Sequence, residues 1–221
     1  MGPKDLSVRD FYGKVWGEYA DPLHHPITAR ALSTQARVVA SRIREAKPRR
    51  VLDLGCGPAP VVRVESAPLV VCADLVFEML LNIKANRAGP VACLDARRLP
   101  FRDRSFDFIW CGLLIDHIRE PEEWIHELSR VLVPGSTLGM ACWNRSELPP
   151  ERYPEDSRMC YTTARGEELS VSSFPTWEAT LDLLGQKYPP METESFPIVP
   201  EEYVLQVAWV KTGTARTGCR P

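Results

Sequence analysis

The chain has 221 residues, 44% of them hydrophobic and 25% charged, with a formal net charge of −2. These values describe one globular domain with a sizeable core; they exclude a disordered chain and argue against a general nucleic-acid binder, which would be strongly basic. The charge is uneven, since residues 1–50 carry ten Lys/Arg and five Asp/Glu (net +5) and the remainder 17 and 24 (net −7).

Ser7–Val8–Arg9–Asp10 reads as a capping box, with the Ser7 hydroxyl serving the first helical turn. The helix it opens carries Phe11, Tyr12, Val15, Trp16 and Tyr19 on one aromatic face, read either as core or as a lid over a ligand. Asp21–Pro22 ends it, His24–His25 turn, and Pro26 starts a second helix. Its stripe of Ile27, Ala31, Leu32, Val38, Val39 and Ile43 runs to about Ala46. The basic run Arg42, Arg44, Lys47, Arg49 and Arg50 leads into the N-terminal end of the first strand. Ligands bind α/β sheets at the other end, so the run reads as a solvated face.

Arg50–Leu54 is the first strand. Gly55–Cys56–Gly57 then turn sharply, and Pro58 is expected to lead into a short helix. Leu69–Ala73 is a continuous apolar run, as in strands buried on both faces, and ends at Asp74. The 21 residues from Asp53 to Asp74 leave room for one short crossover helix. A helix around Glu78–Lys84 closes near Gly89–Pro90. The third strand, Val91–Leu94, ends at Asp95, and the fourth spans Phe106–Cys111. A helix opening at Glu120–Pro121 with acids in its first turn runs through Trp124 and Leu128 to Leu132, where Pro134–Gly135 stop it. Thr137–Trp143 is the fifth strand. From Asn144 to Ser173 the pattern dissolves, which reads as an insertion and a candidate substrate lid. A last helix from Pro175 to Leu184 is capped by Gly185. Met191–Val199 and Tyr203–Val210 are two further strands, and Lys211–Pro221 is a frayed tail.

Strands alternating with helices or crossovers mean an α/β fold with a parallel sheet. The expected organisation is an N-terminal helical lid (1–48), a binding domain (49–210, with 144–173 inserted) and a tail (211–221). The seven cysteines are scattered and never spaced CxxC, so no metal is expected and the compartment reads as reducing. The N-terminus has no apolar signal region and no apolar run approaches membrane length. The expectation is a cytoplasmic protein with no membrane partner.

Three acids, Asp53, Asp74 and Asp95, end three consecutive strands and therefore share the carboxyl edge of the sheet. One such acid usually caps the next helix; three, after a glycine turn, point to a nucleotide-type ligand. Asp74, 17 residues past Gly57, is placed where a carboxylate takes both ribose hydroxyls in nucleotide-binding sheets.

These stretches resemble the class I S-adenosylmethionine-dependent methyltransferases of the small-molecule group. Val51–Ala59 (VLDLGCGPA) is similar to the family's first motif and Asp74–Leu80 to its acidic second. Leu94–Ala96, Leu99–Phe101 and Ser105–Asp107 resemble its third and fourth, and Glu127–Gly135 the helix and turn before the fifth strand. The resemblance covers roughly residues 8–143. It implies a Rossmann-like seven-stranded, mostly parallel sheet with helices on both faces, the N-terminal helices acting as a lid. It implies S-adenosyl-L-methionine as cofactor and a small-molecule methyl acceptor, with no nucleic-acid partner, in a monomer or homodimer. By the same resemblance Gly55 and Gly57 approach the methionine part and Asp53 orients it. Asp74 holds the ribose, Leu75 packs on the adenine, and Asp95 and Ala96 face the ring. Met79 lies on the helix beginning there, the Cys111 backbone faces the amino-acid end, and Tyr12 and Tyr19 close over the sulfonium, a cation their π faces attract.

His117, six residues past the fourth strand, is the candidate general base, against the alternative of a packing histidine. Two other readings compete. A nicotinamide oxidoreductase predicts GxGxxG, which Gly55–Cys56–Gly57–Pro58–Ala59–Pro60 breaks. A non-catalytic cofactor-binding protein is motivated by Ala59, which stands where the family has a third glycine.

Overall fold

The structure is a computed structural model that describes residues 3–86, 89–144, 158–174, 176–199 and 203–213. The chain runs β1 (Lys4–Leu6), α1 (Val8–Val15), α2 (Pro26–Ala46), β2 (Arg50–Leu54), β3 (Leu69–Asp74), α3 (Phe77–Asn86), β4 (Val91–Cys93), β5 (Phe106–Gly112), α4 (Pro121–Val131), β6 (Leu132–Trp143), β7 (Arg158–Thr162), β8 (Glu168–Ser172), α5 (Trp177–Lys187), β9 (Met191–Val199) and β10 (Tyr203–Lys211). Seven strands form one sheet in the order β4-β3-β2-β5-β6-β10-β9. The first five are parallel, and β10 runs antiparallel to both β6 and β9. This is the expected Rossmann-like, mostly parallel α/β sheet.

Alternation along the central strands builds two cores. Val51, Phe108 and Trp110 pack with Ala31, Val39 and Ile43 of α2 and with Trp209 of β10. Leu52, Ile109 and Cys111 face the opposite way, onto Trp124 and Leu128 of α4 and Leu184 of α5. The helices thus lie on both faces, because successive strand side chains point to opposite sides.

Several elements differ from the sequence expectation. No α-helix follows the glycine turn: between β2 and β3 there is only a 3-10 turn, Val64–Ser66. Pro58 and Pro60 push the residues before them away from helical backbone, and the short crossover closes by burying Val61 and Val62 instead. α4 ends at Val131 and β6 starts at once at Leu132, so Pro134–Gly135 is a bulge within the strand and not a helix stop. That bulge is pinned by Thr212, which donates its N–H to the Ser136 carbonyl, accepts from the Gly135 N–H through its own carbonyl and accepts from the Ser136 N–H through Oγ1. Lys211 and Thr212 are therefore not tail; 214–221 lie outside the described residues. α5 continues through Gly185 to Lys187 and is capped at Tyr188. Arg42 is no solvated surface charge, since its guanidinium lies 4.8 Å over Trp209 and pairs with Glu192.

The 144–173 stretch contains a hairpin. β7 and β8 form an antiparallel hairpin, and β1 adds to β8 in parallel to make a second, three-stranded sheet. Phe11 and Val15 of α1 pack on its Met159, Leu169 and Val171. Residues 145–157 of the expected insertion lie outside the described residues.

Candidate active site

At the carboxyl edge of the sheet, where β2, β3, β4 and β5 end, lies a cavity of about 650 Å³. Its floor is the turn Gly55–Gly57. Both glycines have φ in the left-handed region, +69° and +58°, which favours glycine. A Cβ on Gly55 would press on Leu114 at 3.2 Å, whereas Gly57 has open space around it. The turn is held by Ala73, whose carbonyl accepts from the N–H groups of Gly55 and Cys56.

Asp74 fastens the same loop from the end of β3. One carboxylate oxygen accepts from the Gly57 N–H at 2.8 Å and the other from Val76 N–H at 2.9 Å. The group is 9% exposed. Burial raises its pKa from the ordinary carboxylate value, partly offset by the backbone bonds from Val76, Gly57 and Leu75. Asp74 also lines the cavity, where a carboxylate, with acceptor sites for about four donors, suits a hydroxyl-bearing ligand. Asp95, by contrast, accepts from the Arg97 side chain with both oxygens and from its backbone N–H with one. The Arg97 guanidinium lowers its pKa.

Of the residues singled out from sequence, Tyr12, Tyr19, Gly55, Gly57, Asp74, Leu75, Met79, Asp95, Ala96 and His117 all line this cavity. Asp53 and Cys111 do not. Asp53 is buried, and one of its carboxylate oxygens accepts from the Val62 N–H at 3.1 Å, tying down the helix-less crossover. Cys111 sits behind the wall with its thiol pushed up by burial, and its neighbour Gly112 takes the lining position.

The opposite wall comes from elements distant in sequence. Tyr12 of α1 meets Tyr19 edge-on at 5.5 Å and His117 edge-on at 5.3 Å. Tyr12 Oη lies 2.8 Å from His117 Nε2, and His117 Nδ1 lies 2.9 Å from the carbonyl oxygen of Ser172 at the end of β8. Burial lowers the His117 pKa, with the Ser172 bond acting in the other direction. Ser172, Phe174, Arg9 and Arg119 also line the cavity and were not singled out from sequence. The Arg119 guanidinium sits 5.0 Å over the Phe174 ring. Ser172 and Phe174 fall at the edge of the stretch read as an insertion, and only the lid reading of that stretch hinted at them.

A family model described as a methyltransferase domain matches residues 52–140, the segment from β2 into β6 that builds the cavity floor. Malonyl-[acyl-carrier protein] O-methyltransferase from Pseudescherichia vulneris is 26% identical over 148 residues, 64% of this chain and 59% of that protein. "Probable tRNA methyltransferase 9B" from Mus musculus is 30% identical over 130 residues, 58% of this chain and 29% of that protein. The chain thus spans less than two thirds of the length of these relatives. Among solved structures, the N-methyltransferase NodS from Bradyrhizobium japonicum in complex with S-adenosyl-L-homocysteine superposes with a TM-score of 0.65. The two share 11% identity, with 92% of this chain and 97% of that one covered.

Residues 52–140 are thus similar to the methyltransferase-domain family, and the fold is shared with the solved methyltransferase structure described above.

Proposed function

We propose that the chain transfers the methyl group of S-adenosyl-L-methionine to a small-molecule acceptor held in the 650 Å³ cavity. The observation that carries this reading is the joining of Asp74 to the Gly55–Gly57 turn by the Gly57 N–H bond. A carboxylate for the ribose and a Cβ-free approach for the amino-acid part then lie on one wall. Leu75 and Met79 supply apolar surface beside the acid, where the adenine would pack, with Ala96 near the ring edge. Asp95 would reach the adenine amino group while it stays held by Arg97. Bound S-adenosylmethionine would supply an electrophilic methyl on a sulfonium. What the protein adds is position and exclusion of water. Tyr12 and Tyr19 present ring surface to the cavity, favourable beside a positive charge.

A small acceptor is favoured because α1 and the end of β8 cover the cavity, and a cavity of this size holds a cofactor and a compact second molecule. In this reading α1 and the three-stranded sheet are the lid, and His117 is the candidate base. Titration calorimetry with S-adenosylhomocysteine tests the reading: micromolar binding is expected, and no binding at millimolar concentration would remove it.

A further inference from the structure

His117 is the point at which three separate parts of the chain meet: α1 through Tyr12, the turn after β5 to which it belongs, and β8 through the Ser172 carbonyl. For a neutral imidazole the hydrogen-bond chemistry of that junction has one solution. A carbonyl oxygen only accepts, so His117 Nδ1 carries the proton and donates to Ser172. In the neutral ring Nε2 is then a bare lone pair, and Tyr12 donates its O–H to it. The lowered pKa of the half-buried imidazole favours the neutral ring near pH 7. A neutral histidine whose one open lone pair is covered by a phenol does not face an acceptor directly. Tyr12 itself lines the cavity, and a phenol oxygen that donates can also accept.

Resting on the methyltransferase reading, we propose that Tyr12 and His117 form a proton relay that activates a protic methyl acceptor, a hydroxyl or an amine, and that Tyr12 is the catalytic residue touching it. The acceptor heteroatom forms its bond to the methyl carbon as the S–CH3 bond breaks, and sulfur keeps the electron pair. The acceptor's proton passes to Tyr12 Oη while the Tyr12 proton passes to His117 Nε2. The positive charge lost at sulfur reappears on the imidazolium, which the Ser172 carbonyl holds through Nδ1–H. His117 acts through Tyr12 and is a positioning residue and proton store. Because Tyr12 comes from α1 and Ser172 from β8, the relay exists only when both covering elements are seated. Acceptor activation is thereby coupled to closure of the cavity.

Tyr19 packs edge-on against Tyr12, Arg9, Arg119 and Glu120 line the same cavity, and Asp116 precedes His117 in its turn. β8 contributes the backbone carbonyl of Ser172 at this point. Burial is the main cause of the His117 shift, so changing these charges should move its titration less than removing Tyr12 does.

The test separates proton transfer from methyl transfer. Iodomethane with S-adenosylhomocysteine returns a methyl to sulfur and releases iodide, so no proton moves. S-adenosylmethionine with a panel of phenols of graded acidity requires one to leave. For Tyr12→Phe and His117→Gln, the ratio of phenol rate to iodomethane rate should fall by about 100-fold, the scale of general-base help. The wild-type phenol rate should rise with pH through one inflection below the ordinary histidine value, and that inflection should vanish in His117→Gln. Nitrogen NMR of the complex with S-adenosylhomocysteine should show His117 protonated at Nδ1, with its titration moved upward in Tyr12→Phe because the bond favouring the neutral ring is gone. An unchanged rate ratio, a surviving inflection, an Nε2-protonated ring, or no transfer to any phenol by wild type while the iodomethane reaction runs would overturn the relay. Failure to bind S-adenosylhomocysteine at all would instead overturn the methyltransferase reading beneath it.

Discussion

Asp74 offers the sharpest perturbation of the proposed cofactor site. Its carboxylate is already desolvated and held by the N–H groups of Gly57 and Val76 at 2.8 and 2.9 Å, so a ribose bound there would meet it without further dehydration. Two hydroxyl-to-carboxylate hydrogen bonds are worth about 1.5–3 kcal/mol each. Removing both in Asp74→Ala should cost about 3–4 kcal/mol, or roughly 200-fold to 1,000-fold in Kd. Asp74→Asn keeps the size but leaves one acceptor oxygen for two backbone donors. One N–H then faces an amide NH2, and a loss of about 30-fold is expected, near 2 kcal/mol. Stability should respond differently. Burial raises the folded-state pKa of Asp74, so the protonated form favours folding. That stability is fully present below the unfolded value of 3.8 and is lost as pH rises through the higher folded value. At neutral pH the charge is therefore no asset to the fold, and Asp74→Asn should melt within about 4 °C of wild type. Calorimetric titration with S-adenosylhomocysteine, beside thermal melts of the ligand-free proteins, reads both quantities. A Kd within threefold of wild type for Asp74→Ala would refute the assignment of the ribose to this acid.

Three further outcomes follow from particular contacts. Gly139→Ala would place a Cβ 2.1 Å from Trp209 and 2.8 Å from Trp110, rings packed 5.3 Å apart. Overpacking on this scale should cost about 3 kcal/mol, read as a fall in Tm of roughly 6–12 °C; an unchanged Tm would mean the rings move freely. Glu127 accepts from both Arg130 and the Leu99 N–H, and the Arg130 guanidinium brings its pKa from 4.5 down to about 2. The pair is partly solvated, so the contribution is about 1–2 kcal/mol, present above the ordinary carboxylate value and lost as pH falls from about 4.5 through about 2. Glu127→Gln should melt lower than wild type at pH 7 and alike near pH 2, as circular dichroism melts would record. Ser7→Ala removes the oxygen that accepts the Asp10 N–H at 3.1 Å. A loss of about 1 kcal/mol should appear as faster hydrogen exchange at the amides of 8–12 without a large change in global Tm, and equal exchange would mean that tertiary packing alone holds α1.

What could be read from the chain and what could not divide along the range of the interactions. The sheet core was legible because burial on both faces writes itself as unbroken apolar runs, Leu69–Ala73 and Phe106–Cys111 among them, and because Pro26 and Pro121 sit where helices begin. The acids were legible as strand ends, but which way each one turns was not. Asp53 stands one residue short of the end of β2 and in register with Cys72, two residues before Asp74 at the end of β3, so one serves the Val62 N–H and the other the Gly57 loop. That offset depends on the strand pairing and has no local signal in the sequence. The β7–β8 hairpin left a weaker trace: Gly166, at φ +77°, donates its N–H to Thr163 between two short runs whose charges mask their alternation. The Tyr12–His117–Ser172 junction left none, because no local rule links residues 105 and 55 positions apart. It arises only when β1 joins β8 and carries α1 across the open edge. The scaffold of this site therefore follows from periodicity, while its reactive chemistry depends on contacts that the folded chain alone creates. A variant that unpairs β1 from β8 should accordingly disturb the titration of His117 before it disturbs the seven-stranded sheet.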